Sequence, residues 1–173
     1  MNTHNSLIYK SIINYVELES PEFAILLKGQ WGVGKTTFIE KILAQLNKKY
    51  IYISLNGICS VSQLYDLLCE SIYLDGLMDK PSQGKVNIRA LSKNVCLGIF
   101  KYLKIDFDPK KILESFNLTE DKLLVFDDVE RSSVPLESIF GFINQFVEHK
   151  ENHVILIANE EEIINNKNSE NNI

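Results

Sequence analysis

Hydrophobic residues along the chain gather in four short runs, separated by longer segments in which apolar positions repeat at helical spacing. Each run is rich in branched or aromatic residues and lacks a strict in-out alternation, which is typical of strands in a parallel sheet covered on both faces. The predicted strands are Phe23 to Leu27, Tyr50 to Ser54, Leu123 to Phe126 and Val154 to Ala158. This pattern predicts an α/β fold, a three-layer α-β-α sandwich around a parallel sheet.

Helical patterns lie before, between and after the strands. The predicted helices are Ser6 to Leu18, the stretch that carries Phe38 and Leu46, Leu64 to Leu74, Ile88 to Leu103, Asp108 to Phe116, and the stretch before the fourth strand. The buried face of that last helix is expected to consist of Ile139, Phe140, Ile143, Phe146 and Val147.

The chain has 173 residues and 45% hydrophobic content, enough for one domain with one sizeable core. Residues 1–164 are expected to form this domain. Residues 57–121 are expected to be a helical insertion between the second and third strands, because about 65 residues are too many for a simple loop. The polar residues 165–173 are expected to be a disordered tail. Since no fifth strand or lid follows, we expect the sequence to be the N-terminal part of a larger protein.

Composition argues against several classes of function. The net charge of -5 gives no overall attraction to nucleic acid or to an anionic membrane surface. The three cysteines and three histidines show no spacing typical of a zinc site. The N-terminus has no signal-peptide pattern, and the most apolar stretch, Val95 to Phe100, is too short to span a bilayer. We therefore expect a cytoplasmic protein without a membrane span, and the sequence gives no direct evidence for a nucleic-acid partner.

One glycine-rich segment carries the strongest chemical signal. Residues 29–36 read Gly-Gln-Trp-Gly-Val-Gly-Lys-Thr and fit the P-loop pattern G-x-x-x-x-G-K-S/T between a strand and a helix. Backbone N–H groups of such a loop point at phosphate oxygens, Lys35 would reach the β- and γ-phosphates, and the Thr36 hydroxyl suits Mg2+. The expected nucleotide contacts are Gly29, Gln30, Trp31, Gly32, Val33, Gly34, Lys35, Thr36 and Thr37. The alternative interpretation is a purely structural glycine loop.

A second chemical signal follows the third strand, where four apolar residues lead into Asp127 and Asp128. This is a Walker B pattern, in which Asp127 would hold Mg2+ through water and Asp128 would orient and deprotonate the attacking water. Glu130 is the competing base. The alternative interpretation is a solvated helix start, which also favours acidic residues. Two adjacent acids favour hydrolysis over phosphotransfer, and the absence of an Asn-Lys-x-Asp signature favours ATP over GTP.

Three further residues are candidates for the same site. Asn159 ends the fourth strand and resembles a sensor-1 residue near the γ-phosphate; alternatively it caps the helix that starts at Glu160. Arg131 is expected either to pair with the acidic cluster or to act as a finger toward a neighbouring subunit. Trp31 is expected to be exposed at the loop apex, available to a base or a partner.

The segments Gly29 to Thr37, Asp127 to Arg131 and Ile157 to Glu161 together resemble the KAP family of P-loop NTPases. The resemblance implies the additional-strand catalytic-Glu (ASCE) type of fold, related to AAA+ and STAND proteins, with one strand between the P-loop and Walker B strands. Members are often predicted to be membrane-associated or to act in bacterial defence against phage. The chain shows no inserted transmembrane pair, and the arginine-bearing lid does not follow.

These signals lead to one main hypothesis and two alternatives. The main hypothesis is an ATP- and Mg2+-dependent ATPase that acts as a switch or motor, with a protein partner or self-assembly at the nucleotide face. The first alternative is a nucleotide-gated interaction module with little hydrolysis, using Trp31 or the inserted helices. The second is a small-molecule phosphotransferase.

Overall fold

The structure is a computed structural model that describes residues 3–78, 122–148 and 152–164. The elements in chain order are α1 (Thr3–Val16), β1 (Ile25–Lys28), α2 (Lys35–Gln45), β2 (Lys49–Ser54), α3 (Val61–Met78), β3 (Lys122–Asp127), a 3-10 helix (Val129–Arg131), α4 (Leu136–Glu148) and β4 (Val154–Ala158). Residues 160–164 are helical. The helices predicted at 88–103 and 108–116 and the tail predicted at 165–173 lie outside the described residues.

The sheet confirms the predicted parallel α/β architecture. Its four described strands run parallel in the order β1-β4-β3-β2. The strand that precedes the glycine-rich loop and the strand that precedes the two aspartates are therefore separated by β4. This intervening strand is what the resemblance to the KAP family implies. Because all strands are parallel, their carboxyl ends lie at one edge of the sheet, where ligands bind in open α/β sheets.

The two faces of the sheet bury two separate hydrophobic clusters, which makes the predicted three layers. Successive residues of β3 point to opposite faces. Leu123 and Val125 pack with α1 and α2, whereas Leu124 and Phe126 pack with α3 and α4. Complete burial of such side chains contributes about 1.5–3 kcal/mol each to folding.

Helix α4 buries a different set of residues from the predicted one. Phe140 is 46% exposed, and Phe142, which is 2% exposed, takes its place in the core. Both positions fit an apolar stripe that contains Ile139, Ile143, Phe146 and Val147, so helical spacing alone could not choose between them. The ring of Phe142 makes edge contacts with the rings of Tyr65 on α3 and Phe126 on β3, and these tertiary contacts decide the rotation of the helix.

Helix α3 starts the segment that was expected to be inserted between β2 and β3. Leu64, Leu68, Cys69 and Ile72 are buried in the same cluster as α4 and one face of the sheet. Burial raises the pKa of the Cys69 thiol to about 12, as expected for a small core residue rather than a reactive thiol. Residues 79–121 lie outside the described part, so the insertion as a unit stays a prediction. Within the described ranges no helix is long and apolar enough to cross a membrane.

A hydrogen-bonded tyrosine ties α1 to the beginning of β4. The Tyr15 hydroxyl donates to the carbonyl of Phe23 at 2.8 Å and accepts the N–H of Val154 at 2.8 Å. The ring of His153 lies edge-on to the ring of Tyr15, with their centroids 5.3 Å apart, and its Nε2 is buried without a hydrogen-bond partner. Burial, aided by the charge of Lys48, lowers the pKa of His153, so the imidazole is held neutral in the fold.

We expect the free energy of unfolding to fall as the pH drops below 6.5, the ordinary pKa of His153. The unfolded chain takes up the proton there and the folded chain does not, so stability declines until the lowered pKa of the folded state is passed. Urea unfolding of wild type and His153→Gln between about pH 7.5 and about pH 5.5 measures this. The variant should lose less stability on acidification than wild type or the control variant His4→Gln. Equal declines in all three proteins would contradict the prediction.

Candidate nucleotide-binding site

The glycine-rich loop turns tightly between β1 and α2 at the carboxyl edge of the sheet. Gly32 has a φ of 76° and Gly34 a φ of 85°, the left-handed region that residues with a Cβ rarely adopt. Helix α2 begins at Lys35, directly after Gly34, so the first N–H groups of α2 have no partner within the helix. Together with the helix dipole, these donors make the start of α2 a site suited to an anion.

The Lys35 side chain folds back onto the glycine-rich loop. Its Nζ donates to the carbonyl of Gly29 at 2.6 Å and to the carbonyl of Gln30 at 3.0 Å. Gly29 also allows a close approach, since a Cβ there would lie 3.2 Å from the Val33 side chain and 3.4 Å from that of Lys35. The only charge of the loop is therefore held within it, where phosphate oxygens would compete with the two carbonyls for the same protons.

Thr36 and Asp127, the two residues predicted to hold a metal, are in direct contact. The Thr36 hydroxyl donates to Oδ2 of Asp127 at 2.6 Å, across 91 positions of sequence. The Tyr52 hydroxyl donates to the same oxygen, and the N–H of Asp128 donates to Oδ1 at 2.8 Å. The Asp127 side chain is buried, with 5% exposure, so its position is fixed by these donors.

The alternation of side chains along β3 explains why Asp127 contacts Thr36. Asp127 lies on the same face of β3 as Leu123 and Val125, which pack against α2. Its side chain therefore reaches the first turn of that helix. Tyr52 faces the same cluster from β2, whose Ser54 pairs with Asp127 in the parallel register. Sequence reasoning missed both Tyr52 and Ser54. Tyr52 and Ser54 lie two residues apart in β2, so their polar side chains share one face of the sheet, next to the end of β3. This spacing is the sequence signal that could have identified them.

Replacing Tyr52 with phenylalanine should lower the free energy of unfolding by about 1.5 kcal/mol or more, the usual contribution of a hydrogen bond to a charged group. The ring stays and only the donor to buried Asp127 is lost. Tyr9→Phe is the matched control, because the Tyr9 hydroxyl bonds Gln45 at an exposed position and its loss should change stability by less than about 0.5 kcal/mol. Urea unfolding of both variants gives the comparison, and similar midpoints would speak against an anchored Asp127.

Asp128 is held in an unusual conformation beside the end of β2. Its φ of 59° lies in the left-handed region. Oδ2 accepts a hydrogen bond from the Ser54 hydroxyl at 2.7 Å, and Oδ1 lies 3.8 Å from Nε of Arg131. The guanidinium of Arg131 stacks over the ring of Trp31, 3.8 Å from its centroid, and Trp31 is 65% exposed, as the sequence predicted. Arg131 thus pairs with the acidic cluster, one of its two predicted roles.

Glu130 and Asn159 meet each other at the end of β4. Oε2 of Glu130 accepts the backbone N–H of Asn159 at 3.1 Å. The Asn159 side chain is 6% exposed, and its Oδ1 has no hydrogen-bond partner, so this oxygen caps no N–H of the helix at 160–164. Of the two alternatives for Asn159, the structure therefore does not support the capping role. Instead, a buried acceptor faces no donor of the described chain, which is rare in folded proteins.

Two contacts join the end of β1 and the start of the glycine-rich loop to the helical residues after β4. Lys28 forms an ion pair with Glu160, and Nε2 of Gln30 donates to Oε1 of Glu161 at 3.0 Å. The N–H of Gly29 donates to the carbonyl of Ala158 at 3.3 Å. Thr37 lies exposed in the first turn of α2. The start of the loop is therefore braced against β4, while its apex at Trp31 reaches Arg131 on the other side.

The donor set at Thr36 and Asp127 fits Mg2+ better than other metals. A hydroxyl and a carboxylate are hard oxygen ligands, and Mg2+ usually takes only one or two ligands from the protein. Over the described residues there is no group of three or more His, Cys, Asp and Glu side chains that could form a protein-only metal cage. Zn2+ sites are usually built from three or four Cys, His, Asp or Glu ligands, and Ca2+ takes six to eight oxygen ligands.

Comparison with known families assigns the chain. Residues 5–108, more than half of the sequence, match the KAP family P-loop domain. The chain belongs to the KAP family of P-loop NTPases. This match contains the glycine-rich loop and ends before β3, so the contribution of Asp127, Asp128 and Asn159 rests on the geometry described above. The predicted resemblance is confirmed.

Solved structures support the same fold. The crystal structure of Cdc6p from Pyrobaculum aerophilum aligns with a TM-score of 0.51 and 16% sequence identity, covering 96% of this chain and 41% of that chain. The KAP domain thus spans less than half of that protein, and at this identity the similarity concerns the fold alone. A search of curated proteins found no match. In general terms, the chain is a nucleotide-binding P-loop NTPase domain.

Proposed function

We propose that this KAP domain binds ATP with Mg2+ and hydrolyses it, and that hydrolysis switches an attached or partner module. The observation that carries the proposal is the 2.6 Å hydrogen bond between Thr36 and Asp127. It joins α2, the helix that follows the P-loop, to the end of β3. The N–H groups that would bind phosphate and the side chains that would bind a metal therefore lie side by side. A purely structural glycine loop would not require this contact.

Phosphate binding falls to the loop and the first turn of α2. Gly32 and Gly34 have the positive φ values that let the chain turn around a phosphate, and the helix supplies unpartnered N–H groups. Lys35 exchanges its bonds to the Gly29 and Gln30 carbonyls for phosphate oxygens. That exchange replaces neutral acceptors by negatively charged ones, so the ammonium gains the attraction between opposite charges.

Metal binding falls to Thr36 and Asp127. In this proposal the Thr36 hydroxyl oxygen and the Asp127 carboxylate would hold the cation, the carboxylate through water, while Tyr52 and the Asp128 N–H keep the carboxylate in place. A bound Mg2+ supplies charge neutralisation on the β- and γ-phosphate oxygens. A site with only these two protein ligands would suit Mg2+, which usually takes few ligands from the protein.

Asp128 is the better candidate than Glu130 for orienting and deprotonating the attacking water. Glu130 already accepts the backbone N–H of Asn159 and so helps to hold the end of β4. Asp128 follows the proposed metal ligand Asp127 directly. Its carboxylate is bound only by the side chains of Ser54 and Arg131 among the contacts described above, and such contacts can exchange. The unpartnered Oδ1 of Asn159 offers a buried acceptor that could hold a proton of the same water.

The proposal is tested by calorimetric titration of the purified chain with ATP, in the presence of Mg2+ or of EDTA, together with a phosphate-release assay. We expect binding and release of free phosphate from ATP, both weakened by EDTA, and less of both with GTP. No binding of Mg-ATP would refute the proposal. Tight binding without turnover, with or without a partner, would favour the nucleotide-gated interaction module instead. Phosphate found on an added small acceptor would favour the phosphotransferase.

A further inference from the structure

The Asp128 carboxylate is contacted by side chains from two separate elements, one of which also contacts the P-loop. Ser54, at the end of β2, donates to one carboxylate oxygen at 2.7 Å, and Arg131, in the 3-10 helix after β3, lies 3.8 Å from the other. Arg131 in turn stacks on Trp31 at the apex of the P-loop. The loop that would receive the phosphates and the carboxylate that would act on water are therefore joined through one guanidinium.

The side chain of Arg131 is bound by weak, exchangeable contacts. Trp31 is 65% exposed, and a cation stacked on an exposed ring changes an equilibrium constant by only about two- to fivefold. The distance of 3.8 Å between Nε of Arg131 and Oδ1 of Asp128 is an ion pair without a close hydrogen bond, and both side chains are about one third exposed, 30% and 27%. Neither contact is strong enough to contribute much to stability, so the Arg131 side chain can exchange both at little cost.

The backbone of Arg131 has a separate, structural role. Its N–H donates to the carbonyl of Asp128 at 2.9 Å, and its carbonyl accepts the N–H of Gly57 at 3.3 Å. These bonds persist when the side chain is replaced. Substitution of Arg131 should therefore leave the 3-10 helix and its link to the loop after β2 intact, so an effect of the side chain can be measured in a folded protein.

We propose that Arg131 is a positioning residue that sets the Asp128 carboxylate according to the state of the P-loop, with Trp31 as the contact that reports loop filling. The inference rests on the proposed function, because Asp128 needs to be positioned only if the site hydrolyses nucleotide. When phosphates fill the loop, Lys35 leaves the Gly29 and Gln30 carbonyls and the apex moves with Trp31. Arg131 follows its stacking partner, and the Asp128 oxygen beside it is released toward the water.

The first test uses Trp31 as a probe, because it is the chain's one tryptophan. In the nucleotide-free full chain, Arg131→Ala should change the emission of Trp31 and make it more accessible to acrylamide, whereas Lys41→Ala, an exposed cation on α2, should change neither. This readout needs no nucleotide. Identical emission and quenching in wild type and Arg131→Ala would overturn the proposal, whatever the protein does with ATP.

The second test separates positioning from binding. For Arg131→Ala we expect kcat to fall by about tenfold or more, within the range for a disturbed acid-base group, while the affinity for Mg-ATP stays within about threefold. Arg131→Lys, which keeps the charge but not the planar stack, should recover part of the lost kcat. An unchanged kcat in Arg131→Ala would overturn the proposal. A loss of affinity as large as the loss of kcat would also do so, since Arg131 would then bind the nucleotide itself.

The third test asks whether Trp31 and Arg131 act as one unit. Trp31→Leu removes the stack without touching Arg131, and the double variant should lose no more kcat than the more damaged single variant. Losses that multiply would show independent roles and would overturn the coupling. A wild type that releases no phosphate from ATP refutes the proposed function and this inference with it. Normal turnover with unaffected variants refutes the inference alone.

Discussion

Replacing Lys35 with alanine is expected to weaken the binding of Mg-ATP at least a hundredfold. The ammonium donates two hydrogen bonds within the loop, at 2.6 and 3.0 Å, to carbonyls that phosphate oxygens would replace. Removing one partner of a buried, hydrogen-bonded charge pair in a binding site costs about 2–5 kcal/mol, and about 3 kcal/mol corresponds to more than a hundredfold in affinity. Calorimetric titration of wild type and variant with Mg-ATP measures the difference directly.

The matched control for Lys35→Ala is Lys41→Ala on the same helix. Lys41 is exposed, and its removal changes the net charge by the same amount without touching the loop. We expect Lys41→Ala to bind Mg-ATP within about twofold of wild type, because Lys41 lies more than one and a half helical turns beyond Lys35 and salt weakens the interaction of exposed charges at such a separation. If Lys35→Ala bound ATP as tightly as wild type, the glycine-rich loop would not be the phosphate site, and the proposed function would fail at its first step.

The strands were predictable because each one is a short apolar run with its own sequence signal. Three of the four predicted strands agree with the structure to within one residue at each end, and Val154–Ala158 agrees at both ends. The first was predicted to start at Phe23 and starts at Ile25. Phe23 is 54% exposed and gives its carbonyl to the Tyr15 hydroxyl instead of the sheet. That bond depends on where α1 packs, which the local sequence does not contain.

The loop and the two aspartates were predictable from sequence for a related reason. A P-loop is a local motif whose glycines, lysine and threonine must follow one another, and the parallel sheet brings the ends of β1 and β3 to one edge. Contacts between distant segments were not predictable. Tyr52 on Asp127 and Ser54 on Asp128 depend on the register of β2 with β3. The stack of Trp31 on Arg131 depends on how far the loop apex extends.

Replacing Asp128 with asparagine should leave Mg-ATP binding within about threefold of wild type and lower the rate of phosphate release by about 10²- to 10⁴-fold. Asparagine has the shape of aspartate and keeps an oxygen that can accept the Ser54 hydroxyl, so the turn after β3 should persist. What is lost is the carboxylate that could take a proton from water. Phosphate release under saturating ATP, together with calorimetric binding, measures the two effects separately.

Two further variants make this prediction specific. Asp66→Asn makes the same chemical change on α3, where burial raises the pKa of the carboxyl. Because α3 and α2 pack on opposite faces of the sheet, this variant should leave phosphate release unchanged. Glu130→Gln tests the competing base. Glutamine keeps an oxygen for the Asn159 N–H, so the end of β4 should stay in place and the rate should fall less than in Asp128→Asn. If instead Glu130→Gln abolished hydrolysis and Asp128→Asn retained it, Glu130 would be the base. Asp128 would then have only a structural role in the turn after β3, and Arg131 would have no catalytic group to position.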